Sequence, residues 1–213
     1  MNHQKQKLIA AILIAFVLWG VMFSPWTAPR ISFWPMMSLS AGILLTMAFG
    51  FRHDWRDLLP QTFRSCRQSL LYGFMLAVFL WGVFWVGDKA SSFLFGFASG
   101  QVDRVYTLKE EISPCVIGLL LFILIGPAEE IFWRGYVQRT LSDFYGPNRA
   151  MFFAIGAYTL VHLFSFNFML LAASAVLGCV WSFLFRLSPK TLPALIVSHA
   201  LWDTAVFVLF PFR

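Results

Sequence analysis

Apolar runs constrain this chain more than any other feature. Seven stretches, Leu8 to Phe23, Trp34 to Phe51, Ser69 to Gly87, Pro114 to Ala128, Ala150 to Phe164, Phe168 to Phe185 and Leu192 to Phe210, carry almost no Asp, Glu, Lys or Arg. They are too long to be the buried elements of one soluble domain, and a helix needs only ~20 such residues to cross a bilayer. The composition agrees, with 59% hydrophobic and 12% charged residues and a mean hydropathy of +0.73. Irregular backbone facing lipid would leave polar groups unsatisfied, so the spanning elements are helices. The expected fold is all-α, a polytopic transmembrane bundle of about seven helices. No internal repeat, low-complexity tract or linker divides it, which predicts a single integral membrane domain over residues 1–213.

The first run follows Lys5 and Lys7, as a signal peptide would, yet Ser24-Pro25-Trp26 offers no small-x-small cleavage site. It reads as a retained first helix. With the amino terminus in the cytoplasm, the inside segments collect Lys5, Lys7, Arg52, Arg56, Arg64, Arg67, Arg134, Arg139, Arg149, Arg186 and Lys190. The outside segments hold Arg30, Lys89, Arg104, Lys109 and Arg213, an asymmetry that supports this orientation. Topology and anionic lipid headgroups then account for the net charge of +6, and no basic stripe interleaved with aromatics suggests nucleic acid. Cys66, Cys115 and Cys179 show no metal-type spacing, and the two in apolar runs, Cys115 and Cys179, read as small buried thiols. Trp26 and Trp34 read as interfacial anchors. Asp88 to Ser113, rich in Gly, Ser and charge, reads as a mobile loop.

Ionisable groups inside apolar spans are costly and usually face a protein interior or a polar cavity. Here they are Glu129, Glu130, His162, His199 and Asp203. Pro127 is expected to open a new helical segment with both glutamates in its first turn, favoured there by the helix dipole. At ~100° per residue the two acids point apart, whereas Glu130 and Arg134 share a face. Glu130 would pair with Arg134, leaving Glu129 free to enter a cavity. Tyr158 and His162 are four apart on one helix, as are His199 and Asp203 on another. Burying these groups separately would incur a desolvation cost at each site, so one shared cavity is the economical arrangement.

The stretch Glu129-Glu130-Ile131-Phe132-Trp133-Arg134-Gly135 resembles the EExxxR box of the CAAX-protease and bacteriocin-processing family of glutamic-type intramembrane proteases. Tyr158 to His162 resembles its FxxxH box, with Tyr for Phe, and His199 to Asp203 its HxxxN/D box. The resemblance covers about residues 112–209. It implies hydrolysis of a peptide bond within the membrane, with Glu129 as general base on a water molecule, assisted by His162. His199 would stabilise the oxyanion, and Asp203, in place of the asparagine found in part of the family, would orient His199 because an ionised carboxylate cannot donate. Glu130, Arg134 and Tyr158 would support these groups. The implied mechanism needs no cofactor, although two histidines and several carboxylates are also the residue types of a zinc site. The resemblance further implies a membrane-associated protein or peptide substrate, cut in a membrane-proximal or carboxy-terminal segment. The short amino-terminal half is similar to the family's bacterial branch and so implies residence in a bacterial inner membrane. A noncatalytic immunity or peptide-binding role, and a proton relay, remain alternative uses of such a bundle.

Overall fold

Eight helices occur among the described residues of this computed structural model, which are 3–60, 62–110 and 112–212. They are α1 (His3–Phe23), α2 (Phe33–Phe51), α3 (Phe63–Leu94), α4 (Ala98–Tyr106), α5 (Pro114–Tyr145), α6 (Pro147–Leu160), α7 (Phe168–Leu187) and α8 (Pro189–Leu209). No strand is present among the described residues. Six of them, α1, α2, α3, α5, α7 and α8, are long and apolar enough to cross a membrane. The seventh expected span is shorter. Its α-helix has 14 residues and tightens into a 3₁₀ turn, Val161–Ser165, that stops where Phe166 takes a left-handed backbone with φ of 48°.

At the centre of the bundle α5 buries Ile117, Leu121, Ile125, Ala128, Phe132 and Tyr136, a stripe spaced by four residues except for one step of three. The stripe stays aligned because two stretches, Leu120–Ile125 and Ile131–Gln138, are π-helical. Between them lies a single α-turn, Gly126–Glu130. The expectation that Pro127 begins a helix is thereby corrected: it sits inside one continuous rod of 32 residues. The wider π register accommodates it. The amide of Gly126 bonds the carbonyl of Leu121, five residues back, so the ladder is already shifted where proline lacks a donor. The two glutamates consequently have no free helix end beside them, and the dipole argument does not apply.

Helix α8 packs along α3 and crosses α5, while α6 packs against α7 and the carboxy-terminal part of α5. Two glycines permit the closest approaches. A Cβ at Gly126 would lie 2.9 Å from the Ala200 backbone, and one at Gly73 only 2.6 Å from the Ala194 carbonyl oxygen. Such small residues let membrane helices touch backbone to backbone.

The stretch expected to be a mobile loop is largely helical. Helix α3 continues to Leu94 and α4 follows, tied down at both ends. The Gln101 carbonyl accepts from Asn167 Nδ2 at 2.8 Å and its side-chain oxygen from the Met169 amide at 3.0 Å, while Tyr106 donates to the Val206 carbonyl at 3.0 Å. Its polar composition supplies those anchors. Trp34 is also placed differently from expectation: it is buried and its indole donates to the Leu108 carbonyl at 2.7 Å, whereas Trp26 is exposed. All three cysteines lie on the outer surface of the bundle, so none is a core thiol.

Candidate active site

The polar residues of three separate segments line one cavity of about 410 Å³. Glu129 enters it from α5, Tyr158 and His162 from the end of α6, and His199 and Asp203 from α8. All five are at most 8% exposed. The remaining wall is largely apolar, with Phe23, Phe33, Trp34 and Met37 from the first two helices and Val105 and Tyr106 from α4 and its end.

Glu130 does not line the cavity. It turns into the packing between α5 and α8, where one oxygen, Oε1, accepts from Arg134 Nη1 at 2.8 Å and faces His199 Nδ1 at 2.8 Å. On the other side of the ring, His199 Nε2 lies 3.3 Å from Asp203 Oδ2. The imidazole is therefore held edge-on between two carboxylates. Its face is fixed as well, since Trp181 stacks on it with ring centroids 4.1 Å apart and planes at 22°. Trp181 in turn donates to Ser198 Oγ at 3.3 Å. Arg134 uses only Nη1 in hydrogen bonding to described residues, and its guanidinium lies 4.5 Å from the centre of the Tyr158 ring and 5.4 Å from that of Trp181. Those π faces replace hydrogen bonds for a cation that is 1% exposed.

His162 sits on the 3₁₀ turn, with Nδ1 2.9 Å from the Tyr158 carbonyl oxygen. A carbonyl only accepts, so Nδ1 carries the proton and Nε2 is left as the acceptor in the neutral ring. Phe23 of α1 packs on the imidazole at 5.6 Å between centroids, and Trp19 at 6.5 Å. Glu129 makes no hydrogen bond to the described residues and directs its carboxylate at the cavity. The arrangement thus offers an unpaired acid, a neutral imidazole acceptor and a clamped imidazole donor around one space.

Among the described residues no three His, Cys, Asp or Glu side chains converge in a way that could hold a metal ion. The donor set explains this, because both His199 nitrogens face carboxylates and one nitrogen of His162 faces a backbone carbonyl.

Sequence reasoning had no signal for Trp181, Ser198, Trp19 or Phe23. Each is an apolar or small residue in an apolar run, and only packing reveals which of many such residues touches an imidazole.

Six apolar helices around a partly open, mostly apolar cavity that holds buried carboxylates and imidazoles define a polytopic helical membrane protein with a buried polar site. Residues 111–205 match the family described as type II CAAX prenyl endopeptidase Rce1-like. The carboxy-terminal part of the chain is therefore similar to an Rce1-like domain, and the protein is an integral membrane protein. Searches of curated proteins and of solved structures find no match.

Proposed function

We propose that the protein is an intramembrane endopeptidase in which Glu129 activates the attacking water. The observation that carries this reading is the convergence of Glu129, His162, His199 and Asp203 on one cavity, from segments up to 74 positions apart. Glu129 takes a proton from water while His162 Nε2 accepts the other O–H and orients it. The oxygen attacks the scissile carbonyl carbon. Nε2–H of His199, whose contact with Asp203 is the longer of its two, donates to the oxyanion as charge develops. Glu129 then hands its proton to the leaving amine nitrogen as the C–N bond breaks. Asp203 orients His199 rather than donating itself.

The apolar walls suit a substrate whose membrane-proximal or carboxy-terminal segment arrives from the bilayer. The amino terminus faces the cytoplasm of a bacterial inner membrane, as the distribution of Lys and Arg suggests.

Reconstituted protein and a membrane-anchored reporter peptide provide the test. Glu129→Gln is nearly isosteric and is expected to lower turnover by about 10²–10⁴-fold, the range for a lost general base. Undiminished turnover would refute the reading. A chelator series with metal add-back addresses the metal-free mechanism, for which activity is expected to persist. Loss that only zinc restores would replace it with a zinc mechanism.

A further inference from the structure

A second pocket, of about 270 Å³, lies at the opposite end of α1, α2 and α5 from the catalytic cavity. Its lining includes Lys7, Phe51, Arg52, Tyr136, Thr140 and Asp143. Two donors in it lack a hydrogen-bond partner among the described residues. One is the Tyr136 hydroxyl, on a side chain only 2% exposed. The other is the Lys7 ammonium, whose contact is the Phe51 ring, 5.2 Å from the nitrogen to the centroid. Arg52 is by contrast paired at all three nitrogens, with Nε and Nη2 on Asp54 and Nη1 on Asp143 at 2.7 Å and Thr140 at 3.3 Å. The unsatisfied inner groups ask for an anion, while the rim presents Asp54 and Asp143, each paired with Arg52 yet about half exposed, whose remaining acceptor sites can take the N–H groups of a cation.

We propose that this pocket seats the phosphoethanolamine headgroup of a membrane phospholipid. The phosphate accepts from Tyr136 and Lys7, and the ammonium donates to Asp143 at the rim. The depth is right for a headgroup, because the apolar run of α2 ends at Phe51 and Arg52, Asp54, Arg56 and Asp57 follow directly. A lipid rather than a soluble phosphate ester is favoured by the pocket's place where the apolar runs of α1 and α2 end, at the edge of the membrane-spanning segments. Choline would fit less well, since its methylated nitrogen has no N–H to give Asp143.

Native mass spectrometry of the full chain, reconstituted in an equimolar mixture of phosphatidylethanolamine, phosphatidylcholine and phosphatidylglycerol, tests this. The expected result is preferential retention of phosphatidylethanolamine, reduced about tenfold by Tyr136→Phe and by Lys7→Gln, the scale of one charge-assisted hydrogen bond. Tyr136→Phe preserves the packed ring, and its folded state is checked by thermal unfolding. Equal retention of all three lipids, or retention unaffected by either variant, would overturn the proposal. So would displacement by soluble glycerophosphoethanolamine at lipid-equivalent concentrations, which would point to a free ester. The readout is bound lipid, so its outcome is independent of the hydrolytic assay.

Discussion

Glu130 Oε1 and His199 Nδ1 stand 2.8 Å apart although 69 positions separate them in the chain. Arg134 shares the same carboxylate oxygen, again at 2.8 Å. One buried atom therefore ties α5 to α8 and sets the angle at which the imidazole meets the cavity. The paired glutamates divide accordingly, one built into the scaffold and one facing the open space.

Removal of Glu130 leaves Arg134 as a buried cation without a counter-charge, and Glu130→Ala is expected to destabilise the protein by about 3–5 kcal/mol. Unfolding in detergent, followed by loss of helical signal, measures it. An unchanged transition would show that the pair does not hold the helices.

Trp181 fixes the face of His199 and lies beneath Arg134. Trp181→Ala is expected to cost about 3–5 kcal/mol of stability through the cavity it leaves. Trp181→Phe keeps a π face against the imidazole and is expected to recover most of both stability and turnover. If Phe performs no better than Ala, the stack is not what positions the ring.

At Gly126 a methyl group would collide with the backbone of Ala200, which cannot move aside as a flexible side chain would. Gly126→Ala is expected to destabilise by about 1–3 kcal/mol, the cost of overpacking, and to lower turnover by displacing α8 from α5. Gly82 meets nothing within 4 Å, so Gly82→Ala should be neutral or mildly stabilising. Thermal unfolding of the two variants side by side checks the contrast.

The hydrogen bonds from Arg52 to Asp54, with Arg139 at 2.8 Å from the same carboxylate, hold the Asp54 carboxyl below its ordinary value of 3.8. A group depressed in this way contributes stability above its unfolded pKa, and that contribution is lost as pH falls through the folded one. The expected outcome is acid-side destabilisation below about pH 4 that is weaker in Asp54→Asn. Unfolding midpoints measured from pH 3 to 6 decide it, and identical profiles for the two proteins would refute the assignment.

Much of this bundle is legible locally. The run from Phe168 to Phe185 becomes α7 nearly residue for residue, because eighteen uncharged and mostly apolar residues in lipid leave the backbone no partner but itself. Local rules misled where tertiary contacts compensate. Pro127 signals a helix start, yet the π register around it absorbs the missing donor. Asp88 to Ser113 has a loop's composition, yet its polar groups are the ones that fasten α4 across the cavity. Ala150 to Phe164 is apolar enough for a span, and the tight turn at its end is what brings His162 beside α1.

By itself the sequence determined the helical membrane architecture, the pairing of Glu130 with Arg134 and the residues with the capacity for acid–base chemistry. These follow from composition and from spacing within one helix, which is local geometry. Only the tertiary structure decided that Glu130 clamps His199 as well as pairing with Arg134, that Trp181 supplies the stacking face, and that Lys7 and Tyr136 share a pocket at the other end. Those relations depend on how closely helices distant in the chain approach and how they are rotated about their axes. That is settled by packing at sites such as Gly126 and Gly73 and by the π-widened turns of α5, quantities that no single helix encodes.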